Sequence, residues 1–116
     1  AAEAHKAETP KLAAKHAEHV LAGVLSQTGV RREEITAWLF HAGGRDVLHA
    51  LKNRLALTDT DLSRSAAVLR EFGNVSSPFV LFVLDATLRS HTPGGWWWMS
   101  SFGAGFSCHG ALLRVE

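Results

Sequence analysis

A histidine followed closely by two glycines is the strongest candidate for chemistry in this chain. His41 directly follows the apolar run Ile35–Phe40, and Gly43 and Gly44 come just after it. Ligands of layered α/β proteins bind at the carboxyl ends of strands. Glycines there let a ligand approach the backbone and expose helix N–H groups to an anion. A histidine that only hydrogen-bonds a carbonyl at the strand end explains these residues equally well, so both interpretations stay open.

An asparagine in a tight turn is the second candidate. Asn74 lies in the segment Gly73–Ser77, directly before a long apolar run. Its amide is an uncharged hydrogen-bond donor, which suits the stabilisation of a developing oxyanion. Asparagine is also common in turns because it tolerates left-handed backbone geometry, and on local sequence alone this structural explanation is favoured.

The single cysteine and a histidine pair are weaker candidates. Cys108 lies inside a predicted strand, where a cysteine usually acts as a small, inert hydrophobic residue. His16 and His19 are three residues apart on one helical face, but no third or fourth ligand follows at the spacing that zinc requires. The sequence therefore predicts no metal site.

Helices and strands alternate in a pattern that would position these side chains. Residues 1–9 are predicted to be a mobile lead-in, and the first helix is expected to begin at Thr9–Pro10 and end at Gly29. Ile35–Phe40 predicts a strand buried on both faces. A helix is expected from about Arg45, and a further helix capped by Thr58–Asp61 is expected to end at Gly73.

The remaining third of the chain predicts one more helix and a hairpin. Pro78–Leu88 is ambiguous, but the Ser77–Pro78 start signal and its length favour a helix over a strand. Trp96–Phe102 and Phe106–Val115 predict two antiparallel strands, which would divide the tryptophan triplet between two faces. The order α-β-α-α-α-β-β indicates a layered α/β or α+β domain, which we take as α/β, with layered helices on a small mixed sheet.

Composition excludes several classes of protein. The 116 residues suffice for one domain, and 47% of them are hydrophobic, which is typical of a globular protein. A formal net charge of +1 argues against a nucleic-acid binder. One cysteine favours a reducing cytoplasm, and the polar N-terminus lacks the apolar core of a signal peptide. The longest uncharged apolar run is far shorter than the roughly 20 residues that span a bilayer, so no membrane partner is expected.

Three segments occur together in an order that resembles a known family. FHAGGRDVL, SAAVLREFGNVSSPFVLFVLD and SSFGAGFSCHGALL resemble the C-terminal third of type III polyketide synthases, the chalcone and stilbene synthase-like enzymes of the thiolase superfamily. The resemblance covers about residues 10–116, which we take as one domain. Ala42, Val75 and Ala104 stand where the family's motifs have proline, methionine and proline. His-Ala-Gly-Gly and the tryptophan-rich hairpin resemble the bacterial branch that includes alkylresorcinol and alkylpyrone synthases.

The resemblance implies a partial C-terminal half of a thiolase-like fold and an acyltransferase activity. In this family a Cys-His-Asn triad loads an acyl group from coenzyme A and extends it by decarboxylative condensation with malonyl-coenzyme A. The family needs no cofactor beyond these coenzyme A thioesters. By the resemblance, His41 and Asn74 match the catalytic histidine and asparagine. The other matched positions are Ser76, Phe102, Gly103 and Gly105 around the substrate cavity, and Gly43, Gly44 and Arg45 at the coenzyme A tunnel mouth.

The triad cysteine has no counterpart in this chain, because Cys108 matches no nucleophile of the family. The chain therefore resembles a fragment whose N-terminal half, carrying the cysteine, is missing. The complete enzyme is expected to be a homodimer, and the isolated chain is expected to be inactive. The alternative is a catalytically inactive thiolase-like fragment that serves as a binding or dimerisation module.

Overall fold

In the residues that the structure describes, the fold consists of four helices and a three-stranded mixed sheet. The computed structural model describes residues 2–41, 45–72, 79–90, 92–102 and 108–116. In chain order the helices and strands are α1 (Ala2–Thr28), a 3₁₀ turn (Arg32–Glu34), β1 (Ile35–Phe40), α2 (Arg45–Arg54), α3 (Asp59–Phe72), α4 (Phe79–Arg89), β2 (Gly95–Phe102) and β3 (Cys108–Val115). This arrangement confirms the predicted α/β class and the order α-β-α-α-α-β-β.

The sheet has the strand order β1-β2-β3. β1 pairs with β2 in parallel, and Phe40 lies opposite Ser100. β2 pairs with β3 in the predicted antiparallel hairpin, and Phe102 lies opposite Cys108. The parallel pair requires a long crossover connection, which α2, α3 and α4 supply.

The start of α1 corrects one prediction. The helix begins at Ala2 and not at Thr9–Pro10, so Pro10 lies inside it. Residues 2–8 are rich in alanine, glutamate and lysine, which are strong helix formers, and this propensity carries the helix across the proline. The division of the chain into a lead-in of residues 1–9 and a domain of residues 10–116 stays a prediction.

Local sequence signals correctly placed most other helix ends. Gly29 has a φ of +74° directly after α1, and its N–H donates to the Leu25 carbonyl at 2.9 Å, as a left-handed helix cap requires. At the start of α3, the Thr58 N–H donates to the Asp61 carboxylate at 2.9 Å, and the Asp61 N–H donates to the Thr58 hydroxyl at 3.1 Å. The ambiguous apolar run forms helix α4, as favoured.

One face of the sheet, which we call the α1 face, packs against α1 and α2. Its core contains Trp38, Phe40 and Trp98 from the sheet, with Ala14 and Ala17 from α1 among their partners. A Cβ atom added at Gly110 would overlap the indole ring of Trp98 and would lie 3.1 Å from a methyl group of Val20. Position 110 must therefore be glycine for Trp98 to lie between β3 and α1.

The opposite face, which we call the α4 face, packs against α3 and α4. Ala37, Leu39 and Trp97 from the sheet join Val68 of α3 and Val83 of α4 in a second core cluster. Trp97 and Trp98 thus point to opposite faces, as strand alternation predicts. Of the helices in the described parts of the chain, none is long and apolar enough to cross a membrane.

Candidate active site

His41 lies at the carboxyl end of β1, where the sheet holds its backbone. The His41 N–H donates to the Ser100 carbonyl of β2 at 2.9 Å and so extends the parallel pairing by one residue. Strand alternation places His41 with Ala37 and Leu39 on the α4 face. The residue is only 6% exposed, which shields an imidazole from bulk water and strengthens hydrogen bonds to it.

A serine from α3 supports the strand end beside this histidine. The Phe40 N–H points away from β2 and donates to the hydroxyl of Ser65 at 3.0 Å. Ser65 is fully buried. Because a buried N–H without an acceptor is costly, this hydrogen bond helps to fix the backbone that carries His41.

The C-terminal end of α3 and the N-terminal end of α4 lie at the same edge of the sheet as His41. A cavity of about 560 Å³ at the start of β1 is lined by Thr36 together with Arg64 of α3 and Thr87 of α4. Since Ser65 already contacts the last residue of β1, the final two turns of α3 continue beyond the strand. The second half of α4 lies at the start of β1, so its first turn is directed towards the His41 edge. The described helices on either side of residues 73–78 therefore end and begin at this edge.

Several residues matched by resemblance lie outside the described residues or are only partly described. These are Gly43, Gly44, Asn74, Ser76, Gly103 and Gly105, which fall in the undescribed segments, and Phe102, whose backbone ends β2 and whose side chain is not described. Arg45 begins α2 and is exposed. The structure thus places His41 beside the end of β2, and Arg45 begins α2 four residues further along the chain.

Cys108 occupies a position unsuited to a nucleophile. Its half-buried side chain packs against the core of the α1 face, whereas His41 belongs to the α4 face. Burial raises the pKa of the Cys108 thiol from 9.0 to about 11, so the thiol stays protonated at neutral pH. The reactive form of cysteine is the thiolate, and this environment suppresses it.

The sequence interpretation missed Ser65. The local sequence predicts no structural role for a serine among the apolar positions of a helix. Nothing near Ser65 in the sequence indicates that the N–H of a strand residue will face its hydroxyl. Within the parts of the chain that the structure describes, no three His, Cys, Asp or Glu side chains are grouped so that they could hold a metal ion.

In layered α/β folds ligands generally bind at the carboxyl ends of the strands, and the buried His41 lies at such an end. The sequence profile of the chalcone and stilbene synthases, C-terminal domain, matches residues 4–115. The chain therefore belongs to this family. This confirms the resemblance to type III polyketide synthases and their thiolase-like fold.

Characterised relatives cover nearly the whole chain. The chain is 37% identical over 109 residues to a 3,5-dihydroxyphenylacetyl-CoA synthase of Streptomyces toyocaensis. The aligned residues cover 92% of this chain and 28% of that protein. It is 34% identical to the synthase of the same name from Amycolatopsis orientalis, over 92% of this chain and 30% of that protein. The chain thus spans less than a third of these relatives' length. The assignment to the alkylresorcinol and alkylpyrone synthases in particular stays a prediction.

Two crystal structures share the fold. The enzyme PKS-I of the brown alga Ectocarpus siliculosus superposes with a TM-score of 0.80 at 32% identity, over 94% of this chain and 31% of that one. The 1,3,6,8-tetrahydroxynaphthalene synthase of Streptomyces coelicolor, a bacterial type III polyketide synthase, superposes with a TM-score of 0.83 over 94% of this chain and 32% of that one. At 23% identity, the second comparison establishes the fold alone.

Proposed function

We propose that this chain supplies the C-terminal part of the active site of a type III polyketide synthase. The complete enzyme extends an acyl-coenzyme A starter with malonyl-coenzyme A by decarboxylative condensation. The observation that carries the proposal is His41, buried at the carboxyl end of β1 in a chain that belongs to this family. His41 and Asn74 are two members of the triad, and a segment outside this chain supplies the cysteine.

In the decarboxylation step, His41 and Asn74 stabilise negative charge on the thioester oxygen. The bond between the malonyl α-carbon and its carboxylate breaks, carbon dioxide leaves, and the electron pair spreads onto the thioester oxygen. Hydrogen-bond donors from an imidazole and an amide, held in place before the reaction, stabilise that oxyanion. The burial of His41 supports this role because a water-poor site increases the effect of each donor.

In the condensation step, the α-carbon attacks the acyl group held on the cysteine. The new carbon–carbon bond forms as the carbon–sulfur bond breaks and the cysteine leaves as a thiolate. A neighbouring histidine supports such a thiolate by ion pairing. Cys108 takes no part, since burial raises the pKa of its thiol to about 11.

The remaining matched residues bind and orient the substrate. Ser76, Phe102, Gly103 and Gly105 line the cavity in which the growing chain lies, while Gly43, Gly44 and Arg45 form the coenzyme A tunnel mouth. Support comes from Arg45, an exposed cation at the start of α2 and four residues after His41. No cofactor beyond the thioesters is part of the proposal. The complete enzyme is a cytoplasmic homodimer that includes the N-terminal part.

The test uses the complete enzyme, with this chain joined to an N-terminal part that carries the cysteine. Malonyl-coenzyme A decarboxylation is measured for the wild type, for His41→Ala and for Asn74→Ala. His19→Ala, an exposed histidine on α1, is the matched control. We expect both site variants to lose decarboxylation by at least about a hundredfold, with unchanged circular dichroism and a fully active control. Near-normal turnover in either site variant would contradict the proposed roles.

A second candidate is an inactive thiolase-like module for binding or dimerisation. The raised pKa of the chain's one cysteine favours it, because the chain alone then has no reactive thiolate. Intact mass after incubation with an acyl-coenzyme A separates the two functions. An adduct that appears only with the N-terminal part present supports the enzyme. No adduct in either case, together with stable self-association, supports the module.

A further inference from the structure

The groove between α2 and α3 has the size and lining of a small-molecule site. It encloses about 520 Å³, within the range typical of ligand cavities. The two helices form an antiparallel hairpin joined by residues 55–58, and the groove runs along its length. The residues that line it are Arg45, Leu48, His49, Lys52, Asp59, Leu62, Ser63, Ala66 and Arg70.

The charges in this groove do not balance. At the closed end of the hairpin, the Lys52 ammonium lies 2.7 Å from a carboxylate oxygen of Asp59. This contact holds the pKa of Asp59 below its usual value. Asp59 is the only carboxylate in the lining. Among the described residues, Arg45 and Arg70 form no ion pair, which leaves two cations uncompensated at the open end.

The floor of the groove is apolar. Leu48 and Leu62 are buried members of the α1-face core, and Ala66 packs against the same cluster. The hydroxyl of Ser63 donates to the Thr60 carbonyl at 2.8 Å, so it already has a partner. A cationic rim over an apolar floor suits a molecule that carries both an anionic group and an apolar portion.

Two arginines at one opening favour phosphate over a single carboxylate. Each guanidinium can present two parallel donors to an oxyanion, and a phosphate or diphosphate has enough oxygens and charge for both. Arg45 also lies in the first turn of α2, where the helix dipole disfavours a cation. Local helix stability therefore gives no reason for this arginine.

We propose that the α2–α3 groove binds a phosphorylated small molecule. Arg45 and Arg70 hold its phosphate, and its apolar portion lies on Leu48 and Leu62. The phosphate belongs either to coenzyme A, in which case this site rests on the proposed function and adds Arg70 to it, or to a separate phosphorylated ligand.

The test is a titration of the chain with inorganic pyrophosphate at fixed ionic strength, followed by calorimetry and by the NMR signals of the arginine side chains. We expect saturable binding that Arg45→Gln and Arg70→Gln each weaken about tenfold, the size of one lost charge-assisted hydrogen bond. The control is Arg64→Gln, an exposed arginine on α3 that lines a different cavity. It should bind as the wild type does. No saturable binding, or equal weakening in all three variants, would overturn the proposal.

A competition arm identifies the source of the phosphate. If coenzyme A displaces pyrophosphate and Arg70→Gln weakens both ligands, the phosphate is that of coenzyme A. If coenzyme A does not compete, the groove takes a separate phosphorylated ligand. Because binding is measured without turnover, a complete enzyme that fails to decarboxylate malonyl-coenzyme A leaves this result intact. Loss of pyrophosphate binding likewise leaves the roles of His41 and Asn74 standing.

Discussion

The two faces of the sheet are covered to different extents by this chain. On the α1 face, Phe40 and Trp98 are enclosed by α1 and α2, and the core is continuous. On the α4 face, Val83 and Trp97 are buried, but Leu81 and Leu88 of α4 are 59% and 58% exposed. Leu12 of α1 is 43% exposed, so the α1 face, which we call the closed face, leaves less apolar surface uncovered than the α4 face, which we call the open face.

Side-chain size explains much of this difference. α1 buries the small side chains of Ala13, Ala14 and Ala17, which lets the helix pack closely against its neighbours, and Gly110 makes room for Trp98 beneath it. α4 carries large apolar residues around most of its circumference, a pattern typical of helices that are buried on all sides. The chain spans less than a third of its relatives. We therefore expect mutations on the two faces to have unequal effects.

The largest loss of stability is expected for Trp98→Ala on the closed face. The indole is fully buried, so its removal should lower the free energy of unfolding by about 3–5 kcal/mol. Urea unfolding measures the change. The matched control is Trp96→Ala, because Trp96 is only partly buried and lies 5.4 Å below the guanidinium of Arg114. Equal losses for both tryptophans would contradict a core centred on Trp98.

Gly110→Ala tests the contact that closes this face. The added methyl group overlaps the indole of Trp98, and the strain should cost about 1–3 kcal/mol. The cost should shrink in a Trp98→Phe background, since the smaller ring leaves room for the methyl group. Gly23→Ala is the control, because no atom lies near an added Cβ in the middle of α1. It should stabilise the protein by about 0.5–1 kcal/mol. A Gly110→Ala protein as stable as the wild type would exclude the close packing.

Ser65→Ala tests the hydrogen bond that holds the carboxyl end of β1 beside His41. The change leaves the buried Phe40 N–H without its acceptor, which should cost about 1–3 kcal/mol. Hydrogen exchange of the Phe40 amide should accelerate more than the global loss of stability explains. Ser63→Ala, two residues away on the same helix and exposed, should stay within about 0.5 kcal/mol of the wild type. Unchanged exchange at Phe40 would mean that the hydroxyl does not hold the strand end.

Ser65 also illustrates what the sequence could and could not predict. The boundaries of β1, the Gly29 cap and the Thr58–Asp61 cap depend on local residue types, and these were predicted correctly. The partner of the Phe40 N–H lies 25 residues away, and no periodicity in either segment connects them. α1 begins before the point that the Thr9–Pro10 signal predicts, because the helix formers that precede the proline extend the helix to Ala2.

The candidate site was also predictable only where it depends on local sequence. A strand followed by His41 and two glycines indicates a strand-end site from local pattern alone, and the structure buries His41 there. The α2–α3 groove was not predictable, since Arg45 and Arg70 are 25 positions apart and line one groove only when the helices pack as a hairpin. The same applies to Trp98 and Gly110, which the register of β2 and β3 brings together.

Cys108, which packs on the closed face, should make the free energy of unfolding depend on pH. Burial raises the pKa of its thiol from 9.0 to about 11, so the folded state keeps a proton that the unfolded state loses first. The stabilisation is complete below pH 9.0 and is lost as the pH rises towards about 11. Cys108→Ala should remove this part of the pH dependence, as thermal unfolding between these values would show. Rapid alkylation of the folded protein at pH 7 would contradict the raised pKa.

The smallest change in stability is expected on the open face. Leu81→Gln and Leu88→Gln replace exposed side chains, so the free energy of unfolding of this chain should change by less than about 0.5 kcal/mol each. Val83→Ala is the buried control on the same helix and should cost about 2 kcal/mol. Because exposed leucines also drive association through apolar contact, the double glutamine variant should self-associate less in analytical ultracentrifugation. If instead it unfolds as readily as Val83→Ala, the outer surface of α4 is already covered within the chain, and the contrast between the two faces disappears.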